Sequence, residues 1–513
     1  MAHDRGMSTR ALDGAAVDTA ETADDDRREE EAGRLVPLPG WVWAIAGGLG
    51  LVLLACAGRY GWHRDELYFR EAGRHLAWGY VDQPPFTPLM ARIADLVAPN
   101  NLVALRVAPA LATVVTVVLC GLIVRELGGD RRAQVVGAGV AASAGFVVGA
   151  GHLLSTSTFD LTAWMAVLWL VTRLLRTGDA RWWAAIGGVA GLAMLNKNLV
   201  LMLLATVVVA LVIERRRDLL LTPWLAVGAA IAVAIAAPHL IWQATHGWPQ
   251  AEMARALERR IGGENRANLL PQQVLLTVPL LLPLWAWGVR LLGQDPATRR
   301  FRPLLWAWPI GLAAVFVTGG RPYYAAPLSL LVALAGSPEA ARRGPGFARW
   351  IAANFAVSAV FALPVLPMSA APVTNSLNDA IGESIGWPAL TDEVAGVVDR
   401  LPAGERSHVV ILTASYGEAG AIDRFGKARG LPRAYSGHNG YYDFGHPHDD
   451  EATVVAVRFD PPELAPYFAR CTQVARVDNH RGIDNEAQGA PIVVCRGLRT
   501  TWAATWPRLR HVS

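Results

Sequence analysis

Two acidic residues stand side by side, Asp65 and Glu66, in the segment Gly61-Trp62-His63-Arg64-Asp65-Glu66-Leu67-Tyr68-Phe69, just after an apolar run. A carboxylate within hydrogen-bond reach of a hydroxyl can take its proton as a new bond forms, which is general-base chemistry. Charges next to a hydrocarbon-spanning segment are costly and mark function by default. Arg64, Arg70 and Arg74 lie around the acidic pair and suit an anionic ligand. A third carboxylate, Asp82, lies in Tyr80-Val81-Asp82-Gln83-Pro84-Pro85-Phe86, where two prolines stiffen the backbone. The competing reading is a solvated loop whose charges pair with one another.

Further groups follow along the chain. Asp160 comes after a Ser/Thr run, Lys197 interrupts an apolar stretch, and Arg321 stands between Gly319-Gly320 and Pro322-Tyr323-Tyr324. Lys197 and Arg321 suit a phosphate that gains negative charge in a transition state. Each also suits a snorkelling residue that anchors its helix. Asp160 either lines a site or caps its helix. Tyr323 and Tyr324 carry a similar double reading, because aromatic residues belt the interface of any membrane protein. His63, His152, His239 and His246 fall near the same face, but none has a ligand spacing such as His-Glu-x-x-His. No cofactor is therefore fixed by the sequence, and a divalent cation (Mg, Mn or Zn) stays open.

These residues need elements to hold them. The chain has 513 residues, 53% apolar and only 18% charged, with 19 Trp. A soluble protein of that length needs more charge to cover its surface. The apolar residues gather into runs such as Ala133–Ala150 and Leu199–Ile213. The expected fold is mainly α, a polytopic bundle with spans at 40–58, 103–123, 133–150, 160–176, 182–196, 199–213, 222–241, 271–292, 303–318, 322–338 and 350–368. Arginine clusters at 125–132, 173–181, 215–217, 290–302 and 342–349 recur in every second loop. That pattern puts the N-terminus in the cytoplasm and the loops with the candidate groups outside. Arginines facing the cytoplasm account for the net charge of +4 without any nucleic acid.

Residues 1–37, with Asp24-Asp25-Asp26 and Glu29-Glu30-Glu31, read as a disordered cytoplasmic tail. No cleavable signal pattern is present, so the first apolar run reads as a retained anchor. Residues 38–371 form the transmembrane domain. An odd number of spans leaves 372–513 outside as an α/β domain, with strands at His408–Leu412, Thr453–Phe459 and Pro491–Cys495 and helices at Thr391–Leu401 and Glu418–Gly426. Cys56 and Cys120 fall in apolar runs, whereas Cys471 and Cys495 are candidates for a disulfide in an oxidising compartment. Gln243–Leu270 reads as a surface helix or as a solvated loop. Ser436-Gly437-His438-Asn439-Gly440-Tyr441-Tyr442 reads as a sugar-binding loop or as a packed turn.

The order of span, Asp65-Glu66, amphipathic helix and Asp82-Gln83-Pro84-Pro85 resembles the membrane-embedded GT-C glycosyltransferases. Within them it is similar to the family 39 branch of protein O-mannosyltransferases, lipid A aminoarabinose transferases and Rgt-like transferases. Gly151-His152-Leu153-Leu154-Ser155-Thr156-Ser157-Thr158-Phe159-Asp160, Leu195-Asn196-Lys197 and Gly319-Gly320-Arg321-Pro322-Tyr323-Tyr324 extend the resemblance over roughly residues 40–370. The part after 372 resembles that of some actinobacterial members. The resemblance implies a cell-membrane enzyme that moves a sugar, with inversion, from a polyprenyl-phosphate donor to a hydroxyl on a glycan, lipid or protein. It implies Asp65 as general base and Glu66 as the group that orients the acceptor or the helix. It makes Arg64, Asp82, Gln83, Asp160, Lys197, Arg321, Tyr323 and Tyr324 substrate-binding. Where relatives often carry Lys after the acidic residue, this chain has Gln83. A transporter or flippase of lipid-linked sugars is the rival reading, although transport sites usually lie at mid-membrane.

Overall fold

The computed structural model describes residues 35–375, 378–449 and 453–512, so nearly all of the expected tail lies outside the described residues. A helix occupies each expected span. Four are long and apolar enough to cross a membrane alone: Leu102–Glu126, Thr156–Thr177, Pro223–Thr245 and Pro296–Thr318. A fifth forms if the bent pair Arg131–Ser143 and Gly145–His152 is one span; the pair bends by 59°, with Ala144 extended between the two halves. Gly40–Cys56, Trp182–Met194, Val200–Ile213, Pro322–Ala335 and Gly346–Ala362 are apolar but shorter.

One span departs from expectation. The segment 271–292 is not a single helix. Its first part ends a 29-residue helix, Pro249–Thr277, and the helix resumes only at Pro283–Gln294. Pro279 and Pro283 lie in and just after the break, and a proline lacks the amide a helix interior needs and clashes with the preceding turn. From Pro249 on, the segment Gln243–Leu270 expected as a surface helix belongs to this same long helix, while Gln243–Thr245 end the preceding one.

Helices approach closely where side chains are absent. A Cβ on Gly187 would lie 2.0 Å from the Gly228 carbonyl oxygen, so Trp182–Met194 and Pro223–Thr245 touch backbone to backbone. Small residues at such crossings replace the hydrophobic drive that lipid cannot supply.

The C-terminal part carries a five-stranded mixed sheet of order β2-β1-β3-β5-β4. The strands are β1 (Val409–Thr413), β2 (Ala434–Ser436), β3 (Thr453–Val457), β4 (Phe468–Arg476) and β5 (Pro491–Leu498). β1 is parallel to β2 and β3, whereas β5 is antiparallel to β3 and β4. The sequence pattern anticipates β1, β3 and β5, which are apolar. It misses β2, only three residues long, and β4, whose side chains are mostly exposed. Cys471 on β4 sits opposite Cys495 on β5, and the two form a disulfide that ties down the edge strand.

This region docks on the segment that holds the acidic pair. Helix Tyr416–Phe425 lies against helix Arg64–Arg74 through Gly417 and Gly420. A Cβ on Gly420 would come within 2.9 Å of the Leu67 Cβ. Leu67, Tyr68 and Phe69 share one apolar core with Trp387, Ala419, Ile422 and Tyr441. The Ser436–Tyr442 loop proves to be a packed turn: Tyr441 is buried, and its hydroxyl donates to Asp423 at 3.0 Å.

Candidate active site

The two adjacent carboxylates point to different places. Glu66 is fully buried and Arg106 nearly so. The Arg106 Nε donates to Glu66 Oε1 at 2.9 Å and one Nη to Oε2 at 2.8 Å. Glu66 also accepts the Leu154 amide at 3.1 Å and the His63 amide at 2.9 Å. The remaining Arg106 donors reach the carbonyls of Ala57 and Gly61. Of the two roles expected for Glu66, orienting the acceptor as a substrate-binding residue or orienting the helix, this geometry fits the helix. Both its oxygens are engaged inside the protein, and its work is to fix the start of helix Arg64–Arg74 as half of a capping box with His63.

Asp65, one residue earlier on that helix, remains open, with 34% of its side chain exposed. Its Oδ1 accepts the Tyr416 hydroxyl at 2.8 Å and lies 3.6 Å from Arg64 Nε. Burial alone would raise its pKa. The neighbouring His63, Arg64, the Tyr416 hydroxyl and Arg321 outweigh it and hold the carboxyl below its ordinary value. Asp65 is therefore an ionised acceptor at neutral pH.

Asp82 has the opposite character. Burial pushes it up to about 7 and the nearby Asp65 adds to the rise, against the Tyr68 hydroxyl that donates to its Oδ1 at 2.9 Å. Tyr68 and Tyr416 stack with centroids 4.8 Å apart. Two stacked tyrosines thus hold two carboxylates, one ionised and one partly protonated near neutrality. Environments that push a pair apart in this way are how acid and base roles become assigned.

A second cluster collects the remaining groups. Lys197 sits in a break between helices, its Nζ 3.5 Å from the Tyr323 hydroxyl and 4.6 Å from the Tyr324 ring centroid. Asn196 holds this break in place, since its Oδ1 accepts from Thr87 and its Nδ2 donates to the Thr156 carbonyl, both at 2.8 Å. Asp160 is an electrostatic neighbour of Lys197. It is not a helix cap, because Ser155 takes that place by accepting the Thr158 amide. One Asp160 oxygen has no hydrogen-bond partner among the described residues.

A cavity of about 710 Å³ opens beside both clusters. Arg64, Arg260, Arg321, Tyr60, Tyr323 and His152 supply polar groups to its wall. Asp65, Asp82, Asp160, Lys197 and Tyr324 are not among the residues that line it. Arg321 links it to Asp65 through charge, and Tyr323 links it to Lys197. Gln83 is buried and off the wall, with its carbonyl accepting the Tyr80 amide at 2.8 Å. Its buried side-chain nitrogen has no hydrogen-bond partner among the described residues. Arg64 is shared as well: it forms ion pairs with Glu486 and Glu383 from the C-terminal part.

The histidines do not converge. His63 Nδ1 accepts the Asp65 amide, His152 contacts Arg106, His239 meets the Trp78 carbonyl and His246 stacks on Trp242. Among the described residues, no three His, Cys, Asp or Glu side chains are grouped to hold a metal ion.

Sequence reasoning missed three residues of this region. Arg106 left a signal, an arginine at the edge of an apolar run, which demands a buried partner. Arg260 lay in the arginine-rich segment taken as a surface helix. Tyr416 left no local signal, being 351 residues from Asp65 in the chain.

Residues 82–242 match the family described as Dolichyl-phosphate-mannose-protein mannosyltransferase. No curated protein matches the sequence. Among solved structures, ArnT from Cupriavidus metallidurans bound to undecaprenyl phosphate is similar, with a TM-score of 0.57 and 16% identity over 89% of this chain and 98% of that one. The apo state of ArnT from the same organism gives a TM-score of 0.56 and 15% identity over the same shares. At such identity the likeness shows the fold: a GT-C helix bundle followed by a small mixed sheet.

Proposed function

We propose that this chain, with its GT-C glycosyltransferase fold, is an inverting enzyme that moves a sugar from a polyprenyl-phosphate donor to a hydroxyl acceptor. The observation that carries the proposal is Asp65: an ionised, partly exposed carboxylate next to arginines that line a cavity. The acceptor oxygen attacks the anomeric carbon while the bond from that carbon to the phosphate oxygen breaks. Asp65 takes the acceptor's proton, and the electron pair of the broken bond leaves with the phosphate. That phosphate changes from diester to monoester and gains negative charge. Arg321 and Lys197, with Tyr323 and Tyr324 around them, are suited to stabilise it, because preorganised cations act most strongly where charge develops.

The arginine pattern supports a cytoplasmic N-terminus, with reaction at the external face of the cell membrane. On this reading residues 38–371 are the membrane domain and 372–513 the external one, and the Cys471–Cys495 disulfide suits an oxidising compartment. The ArnT structure with undecaprenyl phosphate bound supports a lipid-phosphate donor.

Lys197→Met keeps the length and apolar stem of the side chain but removes the charge. It is expected to slow donor cleavage by about 10²-fold, the usual cost of losing one group that stabilises developing charge, while thermal unfolding changes little. The rates of variant and native protein in lipid, with undecaprenyl-phosphate mannose as probe, measure this. The rival reading, a flippase, is separated in sealed vesicles carrying a panel of polyprenyl-phosphate sugars. Cleavage of the sugar–phosphate bond supports the enzyme; translocation of intact lipid without cleavage overturns it.

A further inference from the structure

We propose that Tyr416, supplied from the C-terminal region, is the positioning residue of Asp65, so that the site is assembled from both parts of the chain. The inference rests on the proposed role of Asp65. Three independent features of the structure meet at this residue.

The first is the bond itself. The Tyr416 hydroxyl donates to Asp65 Oδ1 at 2.8 Å. With Oδ1 engaged, Oδ2 is the oxygen left to receive a proton. A carboxylate with one oxygen pinned cannot rotate freely, and a base must meet its proton within a few tenths of an ångström of the right place.

The second is how the tyrosine is held. Its ring stacks between Tyr68 and His438, with centroids 4.8 Å from each. The Arg64 guanidinium lies over the same ring, 5.9 Å from its centroid. Tyr416 is the first residue of helix Tyr416–Phe425, which Ser415 caps by accepting the Gly417 amide. The phenol thus projects from a fixed helix end.

The third is the docking surface that puts this helix end above Asp65. Gly417 and Gly420 share one face and meet Arg64 and Leu67 on the partner helix. A Cβ at Gly420 would also come within 3.0 Å of the Leu67 carbonyl carbon, so no side chain fits without parting the helices. Arg64 pairs across the same boundary with Glu383 and Glu486. Arg458, itself paired with Glu486, lies 3.0 Å from the buried Glu418. This line of ion pairs crosses from the Asp65 helix into the sheet region, and Tyr416 sits at its inner end.

Tyr416→Phe in the full chain tests the inference, because it keeps the stacked ring and removes only the hydroxyl. Two readouts are compared with the native protein and with Asp65→Asn: the carboxyl titration of Asp65 by infrared difference spectroscopy, and cleavage of undecaprenyl-phosphate mannose as a function of pH. Loss of a hydrogen bond to the ionised form raises the pKa. The Asp65 titration and the acidic limb of the rate are therefore expected to move up together, by about one pH unit. A fall in kcat of about tenfold with little change in KM for the donor is expected beside it. Gly420→Leu, which pushes the helix away, is expected to give the same titration shift with Tyr416 intact. If Tyr416→Phe leaves titration and rate native while Asp65→Asn is inactive, the inference fails and the base reading stands. If Asp65→Asn keeps the native rate, the base reading fails whatever Tyr416→Phe does.

Discussion

Glu66→Ala is expected to lower the stability of the folded protein by about 3–5 kcal/mol, the cost of leaving one member of a buried ion pair without its partner. The Arg106 guanidinium would stay in a site that is 1% exposed, with two of its donors no longer matched. The amides of Leu154 and His63 would lose their acceptor as well. Removing both charges at once, as Glu66→Leu with Arg106→Met, is expected to harm less than either single change, because no buried charge then goes unpaired. Thermal unfolding in detergent, followed for the two single variants and the double one, measures this. A Glu66→Ala protein as stable as the native one contradicts the structural role given to this carboxylate.

Asp65→Asn is expected to do the reverse, with a rate loss of about 10²–10⁴-fold, the range general bases contribute, and little change in stability. The amide keeps the size of the side chain and still accepts the Tyr416 hydroxyl, but it cannot take a proton. The pH dependence follows from the direction of the shift. Asp65 is held below the ordinary carboxylate value, so its protonation removes activity only as pH falls below the ordinary carboxylate range. Asp82, raised to about 7, loses its proton as pH rises through neutrality. Asp82 is therefore expected to give a limb near pH 7 that vanishes in Asp82→Asn while the lower limb stays. A neutral limb that persists in Asp82→Asn contradicts this assignment. Rates across pH for the native protein and both variants decide it.

How far the sequence could reach depends on what forces act locally. The bundle was legible because hydrocarbon favours apolar helices, and helix is found in every expected span, although the one at 271–292 is broken. Lys197 and Arg321 were legible because a charge in an apolar run is costly. Asp65 and Glu66 were separated only through the family resemblance, because local sequence does not show that neighbours on a helix point about 100° apart and that one of them meets an arginine 40 residues away. The break at residues 278–282 was written in Pro279 and Pro283 but hidden by the apolar composition around them. β4 was hidden for the opposite reason, since Arg470, Gln473 and Arg476 on an exposed edge do not look like a strand. The docking of Gly417 and Gly420 on Arg64 and Leu67 is wholly tertiary, and with it the place of Tyr416. The fold was therefore readable, the candidate base was named through the resemblance, and the residue that holds it was invisible.

The central claim is that Asp65 drives a single displacement at the anomeric carbon of a lipid-linked sugar. Its most direct test is nuclear magnetic resonance of polyprenyl-phosphate sugars labelled with ¹³C at that carbon, incubated in lipid with a membrane extract as acceptor source and either native protein or Asp65→Asn. With native protein, the anomeric signal is expected to lose its phosphorus coupling and reappear as a glycoside of opposite configuration. With Asp65→Asn, it is expected to remain that of intact donor, bound but unreacted. Retained configuration, equal turnover by both proteins, or donor left untouched by the native one across the panel would contradict the account.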